Sequence, residues 1–140
     1  MLYVATADEL PLTSSPDLTI EAVDDARRAV DRWFSYRNVR FIGAHTGCSC
    51  GFPSVIAESP IEYFEGIWDD HGDREDDLRS VGALLDLLRR IVERSSSVEL
   101  YPVWDGDQAL APKGVIAWQA GTLVPERFFF NQRFMHIVRR

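Results

Sequence analysis

Residues 74–104 read REDDLRSVGALLDLLRRIVERSSSVELYPVW, and the change of period inside this stretch decides the fold class. From Arg74 to Ser95, apolar residues recur three and four apart: Leu78, Val81, Leu85, Leu88 and Val92, widened by Leu84, Leu87 and Ile91. That spacing brackets the helical turn and gathers them into one broad stripe. Asp86 and Arg90 add an ion pair four residues apart, worth only about 0.2–0.5 kcal/mol, so packing rather than charge holds the helix. After Ser95, Ser96 and Ser97 the residue types change, and Val98–Trp104 reads as a strand. Pro102 lacks an N–H and pushes that strand toward a sheet edge or a bulge.

Working upstream, Leu2–Ala7 reads as a first strand, followed by a loop from Pro11 to Pro16. Val23, Ala26, Val30, Trp33 and Phe34 fall at helical spacing. They predict an amphipathic helix over Ile20–Ser35 with Thr19 as N-cap, although Leu18–Val23 also reads as a short strand. Val39–His45 is the next strand. Ser59-Pro60-Ile61-Glu62 has the form of a capping box, with Ile61, Phe64, Ile67 and Trp68 on one face of a short helix behind it. The acidic run from Asp69 to Asp77 is not a calcium loop, because Arg74 and Ser80 stand where glycine and glutamate are required. Acids gathered at a helix start suit the macrodipole, with Asp73 as N-cap.

Working downstream, Val115–Ala120 and Phe128–Val138 read as strands, the latter broken near Asn131-Gln132. Strands grouped after helices predict an α+β fold. The expected form is a single domain over 1–140: a mixed or antiparallel sheet of about four to six strands, with two or three helices packed on one face. Phe128, Phe129 and Phe130 project to both faces of a strand, so at least one needs cover from a helix or a partner, which leaves a homodimer open.

A chain of 140 residues fits one domain and buries about 68–70% of its unfolded surface, so its core requires no staple. Its net charge is −7, and its arginines are scattered among acids. Phosphate contacts need a basic stripe, so no nucleic-acid partner is expected. Lys113 is the one lysine among 15 basic residues, a bias of coding rather than of function. The N-terminal residues lack the basic start and long apolar run of a secretory signal. No apolar run approaches the roughly 18 residues of a membrane span. Two cysteines are too few for a secreted disulfide scaffold, and a cytoplasmic location with reduced thiols is expected.

One stretch stands out chemically: His45-Thr46-Gly47-Cys48-Ser49-Cys50-Gly51-Phe52. Its glycines and serines, with Pro53 behind them, specify a tight loop, and strand alternation puts His45 on the face of Val39 and Phe41. A metal reading takes His45, Cys48 and Cys50 as ligands of zinc or another soft metal, with His71, His136, a carboxylate or water as fourth donor. The spacing is not that of paired zinc knuckles. The Cys-x-Cys pair resembles the metal-sensing motif of the small helix-turn-helix arsenic and cadmium repressors over those two cysteines alone, in a loop rather than a helix. Nothing else of that family is implied.

A redox reading makes Cys48 and Cys50 a labile disulfide, with His45 as the cation beside an activated thiolate. A hydrolase would pair Cys48 with His45 or His136 and an acid such as Asp105. The plainest reading makes the loop structural, since free cysteine packs as a small hydrophobe. Trp104-Asp105-Gly106-Asp107 reads either as a ligand-facing strand end or as a solvated turn behind a buried tryptophan. The leading expectation is a thiol or soft-metal module. The alternative is a non-enzymatic acidic interaction module of inhibitor or immunity type, meeting a basic partner through its charge.

Overall fold

The computed structural model of the chain describes residues 1–52, 74–124 and 134–139. Its strands are β1 (Leu2–Thr6), β2 (Thr13–Ser14), β3 (Leu18–Ala22), β4 (Asn38–Ala44), β5 (Ser97–Pro102), β6 (Val115–Gln119) and β7 (Phe134–Val138). They form one seven-stranded sheet in the order β2-β3-β4-β1-β5-β7-β6. All neighbours are antiparallel except β6 and β7, which run parallel, so the sheet is mixed and the fold α+β.

The sheet is larger than the sequence pattern predicts because Thr13–Ser14, read as loop, is a strand, and Leu18–Ala22 takes the strand rather than the helix alternative. Leu18 and Ile20 are buried and alternate with Thr19 and Glu21, a period of two. Helical winding begins only after Asp24, whose carboxylate accepts from the Arg27 N–H, so Asp24 rather than Thr19 is the cap. The segment behind it, Asp25–Trp33, is a 3₁₀ helix.

Helix α1 spans Arg74–Ser95, the bounds its stripe predicts. Val81, Leu84, Leu85, Leu88 and Val92 are fully buried against Leu2, Val4, Ile42, Val98, Leu100, Met135 and Ile137. Each such side chain contributes about 1.5–3 kcal/mol. Leu78, at the start of the stripe, is 39% exposed. Asp86 pairs with Arg89 at 3.0 Å rather than with Arg90. Arg89 also donates to the Leu123 carbonyl at 2.6 Å, which holds its guanidinium on that side of the helix.

The expectation that all helices share one face is corrected. Every residue of β1 is buried, so both sides of the sheet need cover. Tyr3, Ala5, Val39, Phe41, Tyr101 and Val103 face away from α1 and pack against Val23, Val30, Trp33, Phe34 and Tyr36, on and just behind the 3₁₀ helix. Polar contacts tie this second layer down. Glu99, 6% exposed, accepts from the backbone N–H of Ser35 at 2.9 Å and of Tyr36 at 3.2 Å, and from the Ser35 hydroxyl. The Trp33 indole donates to the Gln108 carbonyl at 3.0 Å.

Strand β5 lies inside the sheet despite Pro102. Val103 N–H donates to Met1 on the β1 side, so by alternation the Pro102 nitrogen faces the β7 side. Pairing with β7 runs only from Ser97 to Leu100, and the proline interrupts no ladder bond there. The helix expected behind Ser59, the Asp73 cap, His71 and Phe128–Phe130 lie outside the described residues. Among the described residues no helix is long and apolar enough to cross a membrane.

Candidate functional site

The cysteine-bearing turn is built on the end of β4. Ala44 N–H donates to the Cys48 carbonyl at 2.9 Å, and Gly47 N–H donates to the Ala44 carbonyl at 2.8 Å. Closing the chain this tightly puts Gly47 at φ +77°, where a side chain is disfavoured. Ser49–Gly51 then forms a single 3₁₀ turn, and Cys48 Sγ accepts from the Cys50 N–H at 3.2 Å. Cys48 and Cys50 are joined as a disulfide, with Cα atoms 5.4 Å apart, inside the span such bonds require.

Ser49, between the two cysteines, is 2% exposed. Its hydroxyl accepts from the Leu2 N–H at 2.7 Å and donates to the Ile42 carbonyl at 2.8 Å. Leu2 and Ile42 are ladder partners of β1 and β4, so the hydroxyl is spliced into the sheet. Phe52 fastens the other end of the turn: it is fully buried in the core under α1. Gly51 has no room for a side chain, since a Cβ would lie 2.5 Å from Ala44 Cβ and 3.0 Å from His45 Nδ1.

The two cysteines lie at the surface of the turn. Cys50 is exposed and Cys48 half-buried. Thr46 Oγ1 lies 3.5 Å from Cys48 Sγ and 3.6 Å from Cys50 Sγ, and 3.3 Å from the Cys48 carbonyl to which it donates.

His45 does not join Val39 and Phe41. Strand β4 ends at Ala44, alternation stops with it, and the turn carries the imidazole to α1. His45 N–H donates to Ser80 Oγ at 3.0 Å, and Nδ1 lies 3.2 Å from the same oxygen and 3.7 Å from Asp77 Oδ1. The ring is 14% exposed, and its buried Nε2 has no hydrogen-bond partner among the described residues. Ser80 is fully buried, out of reach of a substrate.

Of the expected site residues, Cys48 and Cys50 meet directly and His45 packs against the turn through Gly51. Among the described residues no three His, Cys, Asp or Glu side chains are gathered to hold a metal ion. His136 sits on β7 opposite Glu99, with β1 and β5 between it and β4. Asp105 belongs to the other layer, where its carboxylate accepts from Arg27 Nε at 2.9 Å and from the Gln108 amide at 3.1 Å. Arg27 first and Gln108 second hold that carboxyl at about 2. The Gln108 amide also donates to the Tyr3 hydroxyl at 3.1 Å. Trp104 beside it is 52% exposed, not buried as a turn-flanking tryptophan was expected to be.

Sequence reasoning missed Thr46, Ser49 and Ser80. Small hydroxyl residues carry no periodic signal, and the work of Ser80 and Ser49 is set by contacts 35 and 47 residues away in the chain. No family model, curated protein or solved structure matches the chain.

Proposed function

We propose that the chain is a thiol–disulfide module in which Cys48 and Cys50 cycle between dithiol and disulfide. The observation that carries this reading is a paired Cys-x-Cys turn at the surface whose frame does not depend on the bond. Ser49 and Phe52 fasten the backbone independently of the sulfurs. A ring closed over one intervening residue removes little loop entropy from the unfolded chain, so such a bond adds little stability. Its use lies in opening and closing. A cytoplasmic setting, the location proposed from the sequence, suits this role, because disulfides there are mostly transient and catalytic or sensing.

Native mass spectrometry of protein purified without chelator or reductant tests the reading. The expected mass is that of the chain less two hydrogens, restored by a reductant. A mass raised by one zinc or other soft metal ion, lost on acidification, makes the turn a metal site with His45, Cys48 and Cys50 as ligands and overturns the redox cycle. An unmodified chain that never loses the two hydrogens under a mild oxidant makes the loop structural.

A separate observation favours a second reading, an acidic interaction module. Trp104 and Leu110 are 52% and 56% exposed on a turn that also carries Asp105 and Asp107. Adding a basic protein to the same sample tests this reading, since a complex appears at the summed mass. Replacing Trp104 and Leu110 by serine should remove it.

A further inference from the structure

Resting on the thiol–disulfide reading, we infer that the pair has a fixed polarity: an incoming thiolate attacks Cys50 Sγ, Cys48 leaves, and the Thr46 hydroxyl stabilises the departing thiolate. Two independent observations agree on this direction. The first is access. Cys50 is exposed and Cys48 half-buried, so the external reagent meets Cys50 first.

The second is the set of donors waiting for negative charge. Cys48 Sγ already accepts from the Cys50 backbone N–H at 3.2 Å, and the Thr46 hydroxyl lies 3.5 Å away. Among the described residues Cys50 Sγ has the Thr46 hydroxyl alone, at 3.6 Å. The N–H contact spans two residues of one 3₁₀ turn, and that turn is anchored by Ser49 and Phe52, so it outlasts the bond. The single Thr46 proton, given to the Cys48 carbonyl in the closed form, reaches either sulfur, so the Cys50 N–H makes the difference. The sulfur beside it departs faster, because exchange rates rise with the stability of the leaving thiolate.

The co-reactant is a dithiol, on a small molecule or a flexible segment of a protein. Its first thiolate forms a bond to Cys50 Sγ while the Cys50–Cys48 bond breaks, and the electron pair of that bond stays on Cys48. Its second thiolate then attacks the reductant's own sulfur in the mixed disulfide, and Cys50 leaves as a thiolate. The dithiol becomes a disulfide, and the protein gains two electrons. The two protons shed by the dithiol pass through water to Cys48 and Cys50. Nothing in this sequence requires Ser49 to leave its place in the sheet.

The test uses the oxidised whole chain and a brief exposure to 2-mercaptoethanol, an uncharged monothiol whose mixed disulfide is caught before a second molecule resolves it. Rapid quenching with N-ethylmaleimide and peptide mass mapping then locates both sulfurs. The expected product carries mercaptoethanol on Cys50 and maleimide on Cys48, in roughly tenfold excess over the reverse, as one charge-assisted hydrogen bond implies. Thr46→Val should slow adduct formation several-fold, and Thr46→Ser should restore it. Because valine fills the same volume, a Thr46 that merely shaped the turn would leave the rate unchanged. Adducts mainly on Cys48, an even division, or a Thr46→Val chain that reacts no more slowly overturns the polarity and leaves the redox reading standing. A disulfide that persists, with neither mercaptoethanol nor maleimide on either cysteine, overturns the redox reading itself, and the polarity with it.

Discussion

The two layers that cover the sheet are held by different chemistry. Beneath α1 the contact is continuous hydrocarbon, from Val81 to Val92 on the helix and from Leu2 to Ile137 across the strands. On the opposite side a 3₁₀ helix with one fully buried aliphatic residue, Val30, is held by hydrogen bonds: Glu99 to Ser35 and Tyr36, Trp33 to Gln108, and Arg27 to Asp105. Area drives the first layer and is tolerant of geometry. The second adds to its own apolar contacts a few donors whose placement is not. The cysteine turn sits on the rim of the first layer but is fastened in the manner of the second, by the Ser49 hydroxyl. A site that opens and closes a bond gains from such a fastening, because its backbone is fixed while its cysteines stay at the surface.

The largest effect is expected at Leu88. Leu88→Ala removes a fully buried side chain and should cost about 2–5 kcal/mol in urea unfolding, while Leu78→Ala, on a half-exposed position of the same helix, should stay within about 0.5 kcal/mol of the parent. Equal effects would mean that the stripe is not the seat of this layer's stability. On the other side, Glu99→Gln keeps the volume but turns an acceptor of three donors into a weaker, mismatched one, with an expected loss of about 1–3 kcal/mol. A neutral outcome would show that Ser35 and Tyr36 hold their loop without it.

Ser49→Ala should cost about 1–2 kcal/mol, since it strips a partner from the Leu2 N–H and the Ile42 carbonyl together. Faster amide exchange at Leu2, with the rest of β1 unchanged, is the accompanying signature. Unaltered exchange there would mean that the ladder closes without the hydroxyl.

The smallest effect belongs to Asp105→Asn, expected below about 1 kcal/mol because the carboxylate is largely in solvent. Its pH dependence is more telling than its size. The folded carboxyl is held at about 2 against an ordinary 3.8, so the unfolded chain takes up its proton first as pH falls. The stabilisation is therefore complete above 3.8 and lost as pH drops toward 2, and the asparagine variant should show a shallower acid limb over that window. Parallel acid limbs would mean that the Arg27 contact does not persist in solution.

The same contrast explains what could be read from the chain alone. Helix α1 was legible to its ends because a long apolar stripe repeats its message over many residues. The 3₁₀ helix was not, since Val23, Ala26, Val30, Trp33 and Phe34 have helical spacing whichever way the chain winds, and the choice was made by Asp24 and by the pairing of β3 with β4. Strand β2 is two residues long and carries no periodicity at all.

For the site, the sequence singled out Cys48 and Cys50 by composition, and the turn pairs them. It misplaced His45, because strand alternation was carried one residue past the end of β4, where Ser80 on α1 captures the imidazole. Ser49 gave no signal because its importance lies in reaching Leu2, at the far end of the intervening chain.

The proposed function requires the Cys48–Cys50 bond to open and close in an unchanged fold. Equilibrating the whole chain with graded ratios of reduced and oxidised dithiol, alkylating, and weighing the intact protein measures this. The prediction is one two-electron transition, with both thiols free or both closed, no singly alkylated chain, and the same far-UV circular dichroism at either end. Thiols that stay free throughout, or a reduction that unfolds the chain, would contradict it.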